Sequence, residues 1–260
     1  MKWGGSVLTR KRHESALRPK VLARLAHELA QVPEARIVLL HGAGSFGHPG
    51  ALRWRLAQPP DREVENPTQR ARGASIVQSE VRRLHGAVLR AIIDAGGNPW
   101  SAPAASLARN RAGRLIELNT RPITDARASG LLPVSFGDVV LDEEWGFSIL
   151  SADTIAVDLV RRGIADRVLF VSDVPGVLAP SQGGRPKIIL QATADLLDRL
   201  SPRAGVPDVT GGIRGKVSAM LEIARAGADA GLISGLTDGA LSRALRGEKV
   251  YGTWADAIPR

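Results

Sequence analysis

Short apolar runs alternate with longer segments whose apolar residues recur at helical spacing, and nothing else in the chain constrains the fold as strongly. Residues 35–40 (A-R-I-V-L-L) and 167–171 (R-V-L-F-V) are nearly continuous apolar stretches of strand length, as in strands buried on both faces. A short strand at the start runs into the Gly4-Gly5 turn. Residues 14–31 place Leu17, Val21, Leu22, Leu25, Ala26 and Leu29 at helical spacing, and a long helix is predicted over 68–95, ended by Gly96-Gly97. Further strands are expected at 99–102, 230–234 and within 131–150, the last with a turn at Asp142-Glu143-Glu144. Further helices are expected at 152–162, 215–226 and 241–245. Residues 41–50, 58–67 and 180–186 read as turns or loops, and 109–114 as less regular structure. This alternation predicts an α/β protein with a mainly parallel sheet covered on both faces. No Pro/Gly/Ser-rich linker separates independent domains, so two lobes on one continuous sheet are expected, 1–165 and 166–260.

Composition narrows the functional classes. Cysteine is absent, which removes disulfides, thiolate nucleophiles and Cys-ligated metals and fits a reducing compartment. No signal-peptide pattern follows Met1 and no run of about 18 apolar residues occurs, so a cytoplasmic protein with no membrane span is expected. The net charge of +9 favours anionic partners. The basic residues are spread along the chain and aromatics are only 4%, leaving little for base stacking, so nucleic acid is not expected. Of 35 basic residues only Lys2, Lys11, Lys20, Lys187, Lys216 and Lys249 are lysine. Where arginine is the default cation, a lysine beside a glycine turn points to a need for a compact ammonium.

Three glycine turns follow that cue. Lys2-Trp3-Gly4-Gly5-Ser6 is either a nest of backbone amides for phosphate or a plain tight turn. His41-Gly42-Ala43-Gly44-Ser45-Phe46-Gly47-His48 matches G-x-G-x-x-G after a strand. The dinucleotide reading is weakened, because Asp61, Glu63 and Glu65 lie in a polar loop rather than ending a second strand, and Pro49-Gly50 should interrupt the required helix. Asp208 to Lys216 (D-V-T-G-G-I-R-G-K) has a Walker-like ending, but Thr210 and Val217 stand where a P-loop needs glycine and a hydroxyl. A lysine near a helix N-terminus opposes the dipole, a conflict that a bound polyphosphate relieves; a solvated lysine is the alternative. In Ile149-Leu150-Ser151-Ala152-Asp153, Ser151 or Asp153 caps a helix or Asp153 holds lysines in place, and both readings stand.

In this order and spacing, the elements resemble the amino acid kinase superfamily and, within it, isopentenyl phosphate kinases. The matching stretches are K-W-G-G-S-V-L-T-R-K (2–11), H-G-A-G-S-F-G-H-P (41–49), P-V-S-F-G-D-V-V-L-D (133–142), I-L-S-A-D-T-I (149–155), V-S-D-V-P-G-V (171–177) and D-V-T-G-G-I-R-G-K (208–216), spread over most of the chain. The second histidine of the 41–48 loop is the selective mark, shared with fosfomycin-resistance kinases and absent from members that phosphorylate amino acids. The resemblance implies a three-layer αβα sandwich, typically a homodimer. Residues 1–165 would bind the acceptor and form the dimer contact, and 166–260 would bind ATP. It implies transfer of the γ-phosphoryl of ATP to isopentenyl phosphate, with Mg2+ bridging the ATP phosphates and no metal site built by the protein. Another small-acceptor kinase of this fold, such as a fosfomycin kinase, is the alternative, followed by a dinucleotide oxidoreductase.

The resemblance also assigns residues. Lys2 and Lys216 would contact the ATP phosphates and the transferring group, Gly4, Gly5 and Ser6 would offer amides, and Lys11 would face the phosphoryl groups. His48 would hydrogen-bond the acceptor phosphate in a site lined by Gly42, Ala43, Gly44, Gly47 and Ala152, with Ala43 also on the nucleotide side. Asp153 would orient the lysines, and Asp173 and Gly212 would belong to the nucleotide lobe. Ala43 and Ala152 replace family glycines, which is expected to add methyls near the acceptor phosphate. The family usually has several strand residues before its first lysine. Here Lys2 is second, so either the strand is short or the start is late, and with this start a frayed strand and a mobile Lys2 are expected. The helix at 68–95 is the natural wall for an apolar tail, through Ile76, Val77, Val81, Leu84, Val88 and Leu89, although most of these are expected to serve the core.

Overall fold

The computed structural model describes residues 1–10, 13–33, 36–61, 63–179, 187–200 and 212–259; Lys11, the 180–186 loop and 208–211 of the third glycine run lie outside them. The first half of the chain forms β1 (Lys2–Trp3), α1 (Gly5–Leu8), α2 (Pro19–Ala30), β2 (Leu39–His41), α3 (Gly44–Arg53), α4 (Pro67–Asp94), β3 (Pro99–Ser101), α5 (Ala104–Leu107), β4 (Ala108–Arg111), β5 (Arg114–Leu118) and α6 (Arg121–Ala128). It continues with β6 (Leu132–Phe136), β7 (Asp138–Asp142), β8 (Gly146–Leu150), α7 (Ala152–Arg161), β9 (Arg167–Ser172), β10 (Val177–Leu178), β11 (Ile188–Ile189), α8 (Ala194–Arg199), α9 (Gly212–Arg225), β12 (Asp229–Ser234), α10 (Ala240–Leu245) and β13 (Gly252–Ala255).

The main sheet runs β13-β12-β9-β1-β2-β6-β3. All neighbours are parallel except β12 and β13. Successive strand residues feed opposite faces, as the pleat requires. Leu40, Val168, Phe170, Ala230 and Leu232 join α7 and α9 in one core, while Leu39, Leu169, Val171 and Ile233 join α2, α4 and α10 in another. The result is the three-layer αβα arrangement. Among the described residues no helix is long and apolar enough to cross a membrane.

The expectation of a frayed first strand is corrected. β1 is the central strand, parallel to β2 on one side and β9 on the other. The Gly4 amide donates to the Val171 carbonyl at 2.7 Å, and the Gly42 amide to the Trp3 carbonyl at 2.9 Å. Trp3 is fully buried and Lys2 only 5% exposed. A strand held from both edges needs little length.

Other boundaries moved for local reasons. α2 begins at Pro19 rather than Glu14, because a bridge between Thr9 and Leu17 ties the preceding loop down. The 41–50 turn contains a helix, α3, with Pro49 inside it. Proline cannot donate to the carbonyl four residues back. That carbonyl, Ser45, instead accepts the Ser15 amide at 3.0 Å, so Pro49 does not stop the helix as expected. Residues 109–114 form an antiparallel hairpin of β4 and β5, and β13 adds a final strand. α9 begins at Gly212, three residues early.

Strands β1, β2, β3 and β6 come from residues 1–165, and β9, β12 and β13 from 166–260. The order reverses direction between β1 and β9, and open α/β sheets bind ligands at the carboxyl ends of strands beside such a reversal.

Candidate active site

The carboxyl end of β1 is where charge collects. Asp153 enters from the first turn of α7, where the Ser151 hydroxyl accepts the Thr154 amide at 3.0 Å and caps the helix. Capping therefore belongs to Ser151, and Asp153 meets the lysines. Its Oδ1 lies 2.6 Å from Lys2 Nζ and its Oδ2 3.4 Å from Lys216 Nζ. Lys216 stands one turn inside α9 rather than at its tip. Burial pulls the Lys2 ammonium down to about 8, with Asp153 opposing and Lys216 adding to the fall. Burial alone would raise Asp153, but the two ammoniums outweigh it and hold the carboxyl down to about 2. Two cations against one anion leave a buried positive surplus, which favours an incoming polyanion.

The glycines do a different job from the one their pattern suggests. The Gly4 and Gly42 amides are spent on the sheet, so they are not donors to a phosphate. Gly5 and Ser6, opening α1, occupy positions whose amides a helix leaves without internal partners. Gly42 and Gly44 are glycine because the first two turns pack backbone to backbone. A Cβ on Gly42 would lie 2.8 Å from the Gly5 nitrogen, and one on Gly44, at φ +52, would lie 2.7 Å from the Gly5 carbonyl oxygen. Gly47 lets α3 approach α4, since its Cβ would lie 2.9 Å from Val81 Cγ2.

The two replacement alanines both pack against apolar clusters. Ala43 packs against a separate cluster of Leu56, Ala74, Val77, Val81, Phe136 and Val139, and Ala152 is part of the core under α7 and α9. Of the six α4 residues named for a tail wall, most serve the core, as expected: Val77 and Val81 belong to that cluster beside α3. Leu84, Val88 and Leu89 serve the main core, and Ile76 is exposed. His48 sits one turn into α3, half-buried. Asp173 follows β9 and accepts the Ser172 hydroxyl at 3.4 Å; Gly212 opens α9 at φ +53.

A buried histidine pair escaped the sequence reading. His41 Nδ1 lies 3.2 Å from the Gly42 carbonyl, His41 Nε2 3.0 Å from His85 Nδ1, and His85 Nε2 2.8 Å from Ser101 Oγ. A carbonyl only accepts, which fixes the direction of the whole chain. Ser101 donates to His85, His85 to His41, and His41 to Gly42. Phe136 stacks on His41 and packs tilted against His85. No local signal pairs histidines 44 residues apart. Among the described residues no group of three or more His, Asp or Glu side chains is placed to hold a metal ion.

Comparison with known proteins agrees with this geometry. The model of the amino acid kinase family matches residues 1–233. The isopentenyl phosphate kinase of Methanothermobacter thermautotrophicus is 34% identical over 97% of this chain and 97% of its own length. A solved isopentenyl phosphate kinase superposes with a TM-score of 0.82 at 29% identity, covering 98% of both chains. The T. acidophilum isopentenyl phosphate kinase product complex gives 0.77 at 26% identity, covering 98% of this chain and 97% of that one. The chain belongs to the amino acid kinase family.

Proposed function

We propose that the protein transfers the γ-phosphoryl of ATP to isopentenyl phosphate, giving isopentenyl diphosphate and ADP. The observation that carries this reading is one buried carboxylate, Asp153, holding the ammoniums of Lys2 and Lys216 at the reversal of the sheet. Likeness to isopentenyl phosphate kinases along almost the whole chain supports the choice of acceptor.

A phosphate acceptor is already anionic and nucleophilic, so no strong general base is required. An acceptor phosphate oxygen attacks the γ-phosphorus, the bond to the β-phosphate oxygen breaks, and ADP departs with that electron pair. The protein's task is to bring two anions together and stabilise spread charge. Lys2, Lys216 and Lys11 supply positive charge, Asp153 orients the first two, and the Gly5 and Ser6 amides receive phosphate oxygens. His48 donates to the acceptor phosphate from α3, with Gly44 and Gly47 shaping that side. Asp173 and Gly212 belong to the nucleotide side, so residues 1–165 take the acceptor and 166–260 take ATP. Mg2+, brought in with ATP, would neutralise charge on the nucleotide's phosphates. A cytoplasmic homodimer completes the reading, and light scattering in solution tests the assembly.

The deciding experiment couples ADP release to each of three acceptors offered separately: isopentenyl phosphate, fosfomycin and N-acetylglutamate. Rapid turnover with the first alone is expected, and fast turnover with another acceptor instead would replace it. His48→Ala removes a charge-assisted hydrogen bond of about 1.5–3 kcal/mol. A drop of roughly 10- to 150-fold in kcat/KM for isopentenyl phosphate is therefore expected.

A further inference from the structure

One buried hydroxyl joins the turn after β1 to the turn after β2. Thr9 ends α1 and is fully buried. Its Oγ1 donates to the Gly5 carbonyl at 2.7 Å and accepts the Ser45 amide at 2.9 Å. The Gly5 carbonyl also receives Thr9's own amide at 2.9 Å, so the hydroxyl is not there merely to satisfy that oxygen. The Ser45 amide lies in the first turn of α3, where a helix leaves its donors without internal partners. Ala43, at the N-cap position, has no side-chain oxygen to offer. Thr9 thus caps α3 from 36 residues before the amide it binds, the place a Ser or Asp at position 43 would ordinarily fill.

Further bonds converge on Ser45. Beyond Thr9 the chain turns back, with the Arg10 amide on the Ala16 carbonyl at 2.9 Å. The Ser15 amide then bonds the Ser45 carbonyl at 3.0 Å, and the Ala16 amide bonds Ser45 Oγ at 3.3 Å. The backbones of Gly5 and Gly44 touch so closely that a side chain at either would collide with the other turn.

We propose that Thr9 is a positioning residue that sets the gap between the nucleotide-side turn and the acceptor-side turn. This rests on the phosphoryl-transfer reading above. Thr9 reaches neither substrate; it holds Gly5 and Ser45 in register so that the two phosphates meet in line. Loosening such a register by about 1 Å is enough to lower a rate about 100-fold.

The test compares Thr9→Val, which keeps the shape and deletes the hydroxyl, with Thr9→Ser, which keeps the hydroxyl and deletes the methyl. T9V is expected to lower kcat about 10- to 100-fold while the KM values for ATP and isopentenyl phosphate change less than about threefold. T9S should stay within about threefold of the unaltered enzyme. Amide hydrogen exchange at Ser45, measured without substrates, should accelerate in T9V and not in T9S. A T9V enzyme with unchanged kcat, a loss residing wholly in the KM of one substrate, unchanged Ser45 exchange, or a T9S enzyme as impaired as T9V would each overturn the proposal. If T9V does not fold, T9S alone decides: near-normal kcat supports the clamp and a tenfold loss removes it. Turnover of isopentenyl phosphate by the unaltered enzyme tests the reaction itself, and the exchange measurement judges the clamp whatever the acceptor.

Discussion

Asp153 neutralises one of the two ammoniums it touches and leaves the other's charge uncompensated by that carboxylate. Replacing it by the isosteric Asn would leave Lys2, 5% exposed, with no anionic partner among the described residues. Removing one member of a buried pair destabilises by about 3–5 kcal/mol. D153N should lose stability on that scale in urea unfolding and most of its kcat. The pH dependence has a definite sign. A lysine is charged below its pKa, and Lys2 is held down to about 8 chiefly by burial. In the free enzyme, kcat/KM should therefore fall as pH rises through about 8, well before an exposed lysine would discharge. A flat profile up to pH 10 would count against Lys2 as a required cation. At this scale much was legible: Lys2, Asp153 and Lys216 each stood beside a glycine turn or a helix start, where sequence chemistry singled them out. Thr9 and the histidine pair were not, because their partners are distant in the chain and neither Thr9 nor His85 is a special residue type where it stands.

The elements show how one side chain can decide whether a segment is regular. The 109–114 stretch looked irregular because its turn, Ala112-Gly113, lacks the Asn-Gly signature of a tight hairpin. Both residues nonetheless sit at positive φ, 47° and 74°. Asp142 makes this tolerable: its carboxylate accepts the Ala112 and Gly113 amides at 3.0 and 2.8 Å. It also accepts the Glu144 and Trp145 amides and the Ser148 hydroxyl, fastening the β4–β5 hairpin to the β7–β8 turn. Asp142→Ala would strand several donors at once, and a loss of at least ~3 kcal/mol is expected from their summed penalties. Circular dichroism and urea titration of D142A would register it. The same reasoning explains α3, whose proline was read as a breaker until Ser15 supplied the missing partner.

Across the whole molecule, the histidine pair links the α4 layer to the sheet and makes the fold acid-sensitive. Burial is the main cause holding His41 down to about 3 and His85 down to about 4, against an ordinary 6.5. Below pH 6.5 the unfolded chain binds protons that the folded chain refuses, so stability falls with pH from 6.5 towards 4 and is insensitive to these groups above 6.5. Each histidine contributes a slope of about 1.4 kcal/mol per pH unit in that window. His85→Gln should reduce the acid-side slope by about one histidine's worth, measured by urea unfolding between pH 4.5 and 6.5; an undiminished slope would refute the assignment. The layered architecture was readable from periodicity, since alternate strand residues feed opposite cores. Strand order was not, because the pairings that set it are long-range, Leu39 with Val134 and Lys2 with Phe170. The central place of β1 has a consequence for biosynthesis. Its β2 neighbour is made soon after it, but β9 emerges about 130 residues after β2. At 5–20 residues per second the ribosome leaves one edge of the nascent sheet unpaired for about 7–26 s. Edges of that kind template misassociation, so chaperone demand should concentrate in that interval, when the sheet still lacks its second half.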